Sequence, residues 1–214
     1  MTCFPAPVVA WHGDGDAGDP LVVLFHGRGS NETAIIGLAD HLPAGASYAA
    51  LRAPIGEGGG YAWFANRGIG RPTTESLAET MAWFRAWLDE VAPDGRPVVP
   101  VGFSGGGAFA GGLVLADPDR YAGAGILYAT LPFDAGVPTT PGRLAGTPVF
   151  VAHGDADDVI PRDLLARTWT YLTSEAGSHT TAVRDPGGHG LSAAVVDALA
   201  DWLTHLLAPG QVSA

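Results

Sequence analysis

Ser104 sits in Gly102-Phe103-Ser104-Gly105-Gly106, a G-x-S-x-G pattern with an apolar run of strand type before it and a helical run after it. In such a strand–turn–helix joint the serine backbone is strained and its Oγ projects from the carboxyl end of the sheet. Side chains two positions away would collide there, which accounts for glycine at 102 and 106. Serine in a glycine-rich turn is also common without any chemistry. The chemical reading therefore needs a base, because a hydroxyl is a poor nucleophile at neutral pH. In this arrangement the partners follow in the order serine, acid, histidine.

Four histidines lie downstream: His153, His179, His189 and His205. His189 is in "PGGHGLS", a glycine-rich loop between a strand and the last helix, at the same sheet edge as Ser104. His179 begins a strand, His205 lies within a helix, and His153 at a strand end reads as holding its loop. The acid should close a strand before His189. "VFVAHGDADDVIP" ends an apolar strand with Asp155, Asp157 and Asp158. A carboxylate here would accept the imidazole N–H, fix its tautomer and stabilise the imidazolium. Asp155 follows the strand too closely to turn back freely, so position in the loop favours Asp157. An oxyanion would be held by the N–H of Gly105 and by a second N–H after an early strand. "LFHGRGSNE" places Arg28 for that role, with its guanidinium expected in solvent, and His26 reads as a structural residue tying the loop.

The elements that must position these groups are legible in periodicity. "PLVVLFHG" (20–27), "RPVVPVGF" (96–103), "GAGILYA" (123–129), "TPVFVAHG" (147–154) and "TTAVRD" (180–185) have strand length and composition. Residues 31–42, 75–92, 162–177 and 191–207 have helical spacing, and Leu77, Met81, Phe84 and Leu88 share one helix face. Ser76 and Glu79 fit a capping box. Alternating strands and helices with continuously apolar strands predict an α/β fold, a mostly parallel sheet with helices on both faces. No linker or repeat divides residues 1–214, so a single domain is expected. Pro100 is out of place in a central strand and suggests a local bulge.

Charge and composition remove several function classes. The net charge of −11 opposes a phosphate backbone, so no nucleic-acid partner is expected. All 11 basic residues are arginine, which excludes lysine chemistry. No apolar run reaches the roughly 18–20 residues that span a bilayer, so no stable membrane insertion is expected. The first residues lack the basic and apolar regions of a secretory signal, and Cys3 is the single cysteine. Both point to a cytoplasmic protein. "GDGDAG" (13–18) matches G-x-G-x-x-G, yet its aspartates would face a pyrophosphate and a strand follows. It reads as an acidic turn between the first two strands.

Taken in order, "LFHGRGSNE", "RAPIGEGGGYAWF", "GFSGGGAFA", "HGDADDVIP" and "GGHGLS" resemble the phospholipase/carboxylesterase branch of the α/β-hydrolases, the group with acyl-protein thioesterases and small bacterial esterases. The resemblance covers nearly the whole chain. It implies a single-domain α/β-hydrolase fold, in which a chain of 214 residues leaves no room for a large cap, and Ser104, Asp157 and His189 as catalytic residues. It also implies an oxyanion hole from the N–H groups of Arg28 and Gly105, and no cofactor or metal. The expected partner is a small-molecule ester or thioester of small or single-chain acyl groups, with the oligomeric state left open. Many relatives carry glutamine where this chain has Gly105, which removes a side chain from the pocket wall. Tyr61, Trp63 and Phe64, in the long irregular stretch 52–75, are candidates for an acyl pocket. Acyl-thioesterase or lysophospholipase activity uses the same constellation. A non-catalytic binding protein of this fold would be expected to lose a member of the triad.

Overall fold

In β2 (Leu21–Phe25) all five residues are fully buried, yet they serve two different cores. Leu21, Val23 and Phe25 pack on one face of the sheet, and Val22 and Leu24 on the other. That period of two, with no polar face, is what a strand covered on both sides requires. The computed structural model describes residues 4–13, 18–93 and 95–208. Cys3 and residues 14–17 of the acidic turn lie outside them.

The remaining strands are β1 (Val9–His12), β3 (Ser47–Leu51), β4 (Ile55–Glu57), β5 (Gly60–Ala62), β6 (Val98–Phe103), β7 (Ala124–Leu127), β8 (Pro148–Gly154) and β9 (His179–Asp185). Seven of the nine form one sheet in the order β1-β3-β2-β6-β7-β8-β9, and β4 and β5 form a separate hairpin. Every pairing in the large sheet is parallel except that of β1 with β3. The helices are α1 (Glu32–Ile35), α2 (Thr74–Val91), α3 (Gly105–Ala116), α4 (Arg162–Thr170) and α5 (Ala193–Leu206). Side chains of α2, α3 and α4 fill one core, and α5 fills the other. This is the α/β-hydrolase arrangement anticipated from the sequence. The chain runs from β2 to β3 on one side and on to β6 on the other, so the order reverses between β2 and β6. Open α/β sheets keep their crevice outside the strand ends at such a point.

Several local expectations are corrected. The helix at 31–42 is one α turn followed by a 3-10 segment, Ile36–His41. Gly37, two consecutive isoleucines and Pro43 just beyond disfavour a longer helix. Between 162 and 177 the α-helix ends at Thr170 and continues as a π turn, with the Ala176 N–H bonded to the Tyr171 carbonyl at 2.8 Å. Ser76 does not cap α2. Thr73 does, accepting from the Ser76 N–H, while Ser76 Oγ accepts from the Ala65 N–H at 2.9 Å. The segment "SYAAL" lacks β-branched residues and gives no strand signal in the sequence, yet it is β3.

Pro100 makes no bulge, because β2 and β6 pair without a break from Leu21 with Val98 to Phe25 with Gly102. Leu21 N–H bonds to the Pro97 carbonyl, and Ala122 N–H to the Val98 carbonyl. Backbone groups alternate along a strand, so the Pro100 nitrogen points toward β7. Pairing with β7 begins only at Val101, and the missing donor falls before it.

Candidate active site

The joint between β6 and α3 forces Ser104 to φ 54° and ψ −119°, a conformation that costs a non-glycine residue about 1–3 kcal/mol. Backbone bonds on either side hold it, from Ser104 N–H to the Leu127 carbonyl and from Ala108 N–H to the Ser104 carbonyl. The flanking glycines are required by contact. A Cβ on Gly102 would lie 2.1 Å from the Gly106 oxygen, and one on Gly106 would lie 2.2 Å from the Phe25 oxygen. Gly105 differs, since its Cβ would meet nothing closer than the Arg28 nitrogen at 3.4 Å.

His189 Nε2 lies 2.9 Å from Ser104 Oγ, and its Nδ1 lies 2.8 Å from Asp157 Oδ2. An ionised carboxylate only accepts, so Nδ1 carries the proton and Nε2 is free to accept from the serine hydroxyl. The Asp157 side chain is fully buried, and its Oδ1 accepts from the N–H groups of Val159 and Ile160. The other two aspartates of this loop point elsewhere. Asp155 pairs with Arg184 at 2.5 Å on the surface, and Asp158 is exposed. His153 packs edge-on against Trp169, its ring 4.7 Å away, and burial lowers its pKa. His179 opens β9 and His205 lies in α5, as expected.

Sequence reasoning missed Asp185. It is buried at the end of β9 and takes hydrogen bonds from the Tyr128 hydroxyl, from Ser192 Oγ at 3.0 Å and from the Gly187 N–H at 2.6 Å. Those bonds, the Tyr128 hydroxyl first, hold its carboxyl below the usual range. Its own carbonyl accepts from the Asp155 N–H, and the Gly187 carbonyl from the Ala156 N–H. The acid loop and the histidine loop are therefore stitched together beneath the site. No motif marks Asp185, because a strand-end aspartate has many uses.

The loop after β2 brings Arg28 beside Gly105. Among the described residues neither backbone N–H has a hydrogen-bond partner, and both are available to a developing negative charge. The β4–β5 hairpin clasps this loop, with Gly29 N–H donating to the Tyr61 carbonyl and Tyr61 N–H to the Ser30 carbonyl. The approach is so close that a Cβ on Gly60 would lie 1.9 Å from the Gly29 oxygen. The Arg28 guanidinium is exposed, as expected. It pairs with Glu57 of the hairpin at 2.5 Å. His26 ties the loop as expected. Its Nε2 accepts from the Ala53 N–H, so Nδ1 donates to the Gly27 carbonyl, and burial lowers its pKa and keeps it neutral. The hairpin had a readable signal, two adjacent glycines (Gly58, Gly59) at φ 58° and 87° as a tight two-residue turn requires.

A cavity of about 700 Å³ opens from Ser104 and His189, with Phe64, Phe103, Ala108 and Ile160 among its walls. Of the three aromatic candidates only Phe64 lines it. Trp63 is core, stacked on Phe109 at 4.7 Å and donating from its indole N–H to the His26 carbonyl. Tyr61 lies under the Arg52 guanidinium, which in turn pairs with the buried Glu32. Both pack on the core rather than lining the cavity. Among the described residues no group of three or more His, Cys, Asp or Glu side chains is disposed to hold a metal ion. Nor is any helix among them long and apolar enough to cross a membrane.

The fold has counterparts among solved structures. A carboxylesterase from Bacillus cereus superposes with a TM-score of 0.82 at 24% identity, covering 94% of each chain. A carboxylesterase from Mesorhizobium loti gives 0.78 at 26% identity, over 93% of this chain and 95% of its own. MhqD of Bacillus subtilis (strain 168) is 25% identical over 189 residues, 86% of this chain and 92% of its own. The pattern of the Phospholipase/Carboxylesterase family runs through residues 11–207, from β1 to the end of α5. By that match the chain belongs to the phospholipase/carboxylesterase family of hydrolases.

Proposed function

We propose that this chain is a serine hydrolase of carboxylic esters with small or single-chain acyl groups, working through an acyl-enzyme. The observation that carries the reading is the unbroken hydrogen-bond chain from Asp157 through His189 to Ser104, at 2.8 and 2.9 Å. Ser104 Oγ attacks the ester carbonyl while His189 Nε2 takes its proton, and Asp157 stabilises the imidazolium that forms. The carbonyl oxygen becomes an oxyanion held by the N–H groups of Arg28 and Gly105, donors typically worth about 10²–10³ each in rate. His189 then protonates the leaving alcohol. Water enters, gives its proton to His189 and attacks the acyl carbonyl, and Ser104 leaves with the proton returned. Every step uses side chains and N–H groups of this chain alone.

The test is a panel of p-nitrophenyl esters and acyl-thioesters of graded chain length, with a Ser104→Ala control. Hydrolysis of the esters that disappears in the control is expected. No turnover of any member, or turnover that survives in the control, overturns the reading. Exclusive turnover of thioesters would replace the ester assignment by a thioesterase one.

Asp185 acts on this reaction only through the loop that carries His189. Asp185→Asn is expected to lower kcat on the order of 10²-fold with KM little changed, since small displacements of a reacting group cost about that much. Because the folded carboxyl titrates below its ordinary range, its stabilisation is complete above that range and is lost as the pH falls through the folded value. Thermal unfolding of wild type and Asp185→Asn should therefore differ at neutral pH and converge in acid. Equal kcat in the two proteins would remove Asp185 from the positioning of His189.

A further inference from the structure

The wall of the cavity includes Asn66 and Arg67 among its polar residues. Both lie in the segment between β5 and α2, which folds back on itself. Arg67 N–H donates to the Arg71 carbonyl at 2.9 Å, Thr73 N–H donates to the Ala65 carbonyl at 2.8 Å, and Asn66 faces Pro72 across a bridge. Gly70, at φ 72°, abuts Thr130 and Leu164, and Arg71 pairs with Asp163 at 3.3 Å. The segment is thus braced against the body of the protein, and it holds residues 66 and 67 at the cavity.

The charge of Arg67 is unspent. Among the described residues Arg28, Arg52, Arg71, Arg167 and Arg184 each pair with a carboxylate. The Arg67 guanidinium has neither an ion-pair nor a hydrogen-bond partner there. The chain has 22 acidic residues against 11 arginines, so an unpaired guanidinium at the candidate site runs against the balance of the whole surface. A second observation points the same way. The Asn66 side-chain oxygen is buried with no hydrogen-bond partner, an arrangement that native interiors avoid unless a ligand or water completes it. Rotation of the amide about its last bond presents either a donor or an acceptor to that ligand.

We propose that the substrate of this site is an ester bearing a carboxylate, which Arg67 binds at the cavity while Asn66 hydrogen-bonds the polar atoms next to it. A guanidinium offers parallel N–H donors that match the two oxygens of a carboxylate. Elsewhere the net charge of −11 repels an anionic substrate, so the local cation decides where such a group docks. The apolar walls receive the uncharged part of the molecule. This inference rests on the esterase reading above and adds the substrate class to it.

The experiment compares kcat/KM for two matched pairs. One pair carries the charge on the acyl side, mono-p-nitrophenyl glutarate against p-nitrophenyl pentanoate. The other carries it on the leaving group, 3-(butanoyloxy)benzoate against its methyl ester. Wild type should favour the anionic member of at least one pair by about tenfold at low ionic strength, and salt should erode that preference because the group is exposed. Arg67→Ala should lower the anionic-to-neutral ratio about tenfold, and Arg67→Lys should retain part of it. A wild-type ratio at or below one in both pairs, or a ratio unchanged in Arg67→Ala, overturns the inference. Failure to hydrolyse any of the four esters would instead overturn the esterase reading.

Discussion

Ser104→Ala should lose both turnover and covalent labelling. His189 Nε2 lies 2.9 Å from the hydroxyl, and the serine backbone is held in a strained conformation at the head of α3. Removing the nucleophile of a serine triad costs about 10⁴–10⁶ in turnover, the remainder coming from binding and the oxyanion donors. The fold should not suffer, because Ser104 Oγ has no partner but His189 among the described residues. A fluorophosphonate probe read by mass spectrometry should modify wild type once, at Ser104, and leave the alanine variant untouched. Labelling of the variant at another residue would refute the assignment.

Asp157→Asn tests the orientation of the base, and the structure makes the expected failure specific. Asp157 Oδ1 accepts two backbone N–H groups, from Val159 at 2.9 Å and Ile160 at 3.0 Å, which an asparagine oxygen can keep. The amide nitrogen is then left facing His189 Nδ1, which must accept. The ring proton moves to Nε2, where it donates to Ser104 and the base is lost. In serine triads the equivalent change costs about 10⁴ in kcat. Asp155→Asn gives up only a surface ion pair with Arg184, a contact worth about 0–1 kcal/mol. Asp158 is exposed. Both of these variants should stay within about tenfold of wild type, with circular dichroism and thermal unfolding reporting that all three remain folded. An active Asp157→Asn beside an inactive Asp155→Asn or Asp158→Asn would assign the acid wrongly.

What local chemistry dictates could be read directly from the chain. The continuously apolar runs at 20–27, 96–103 and 147–154 announced buried parallel strands, and β2, β6 and β8 are there. Glycine at 102 and 106 announced a crowded turn, because only a missing Cβ fits 2.1–2.2 Å from a backbone oxygen. The order serine, aspartate, histidine followed from the topology such a turn imposes. The strand and turn signals are local, each settled by residues within a few positions of one another.

Contacts between distant segments were another matter. Ser104 and His189 are 85 positions apart, and Arg28 and Glu57 are 29 apart. That Arg28 would pair with Glu57 of the hairpin, that Trp63 would stack in the core while Phe64 turned to the cavity, and that Asp185 would bind the histidine loop all depend on how hairpin, loops and sheet edge meet. So does the unpaired state of Arg67, which depends on where every carboxylate ends up. Periodicity says which face of an element is apolar, and the sequence determined the layers and the strained serine. Which polar groups find each other across the folded edge is set by three-dimensional proximity, and that the tertiary structure alone decided.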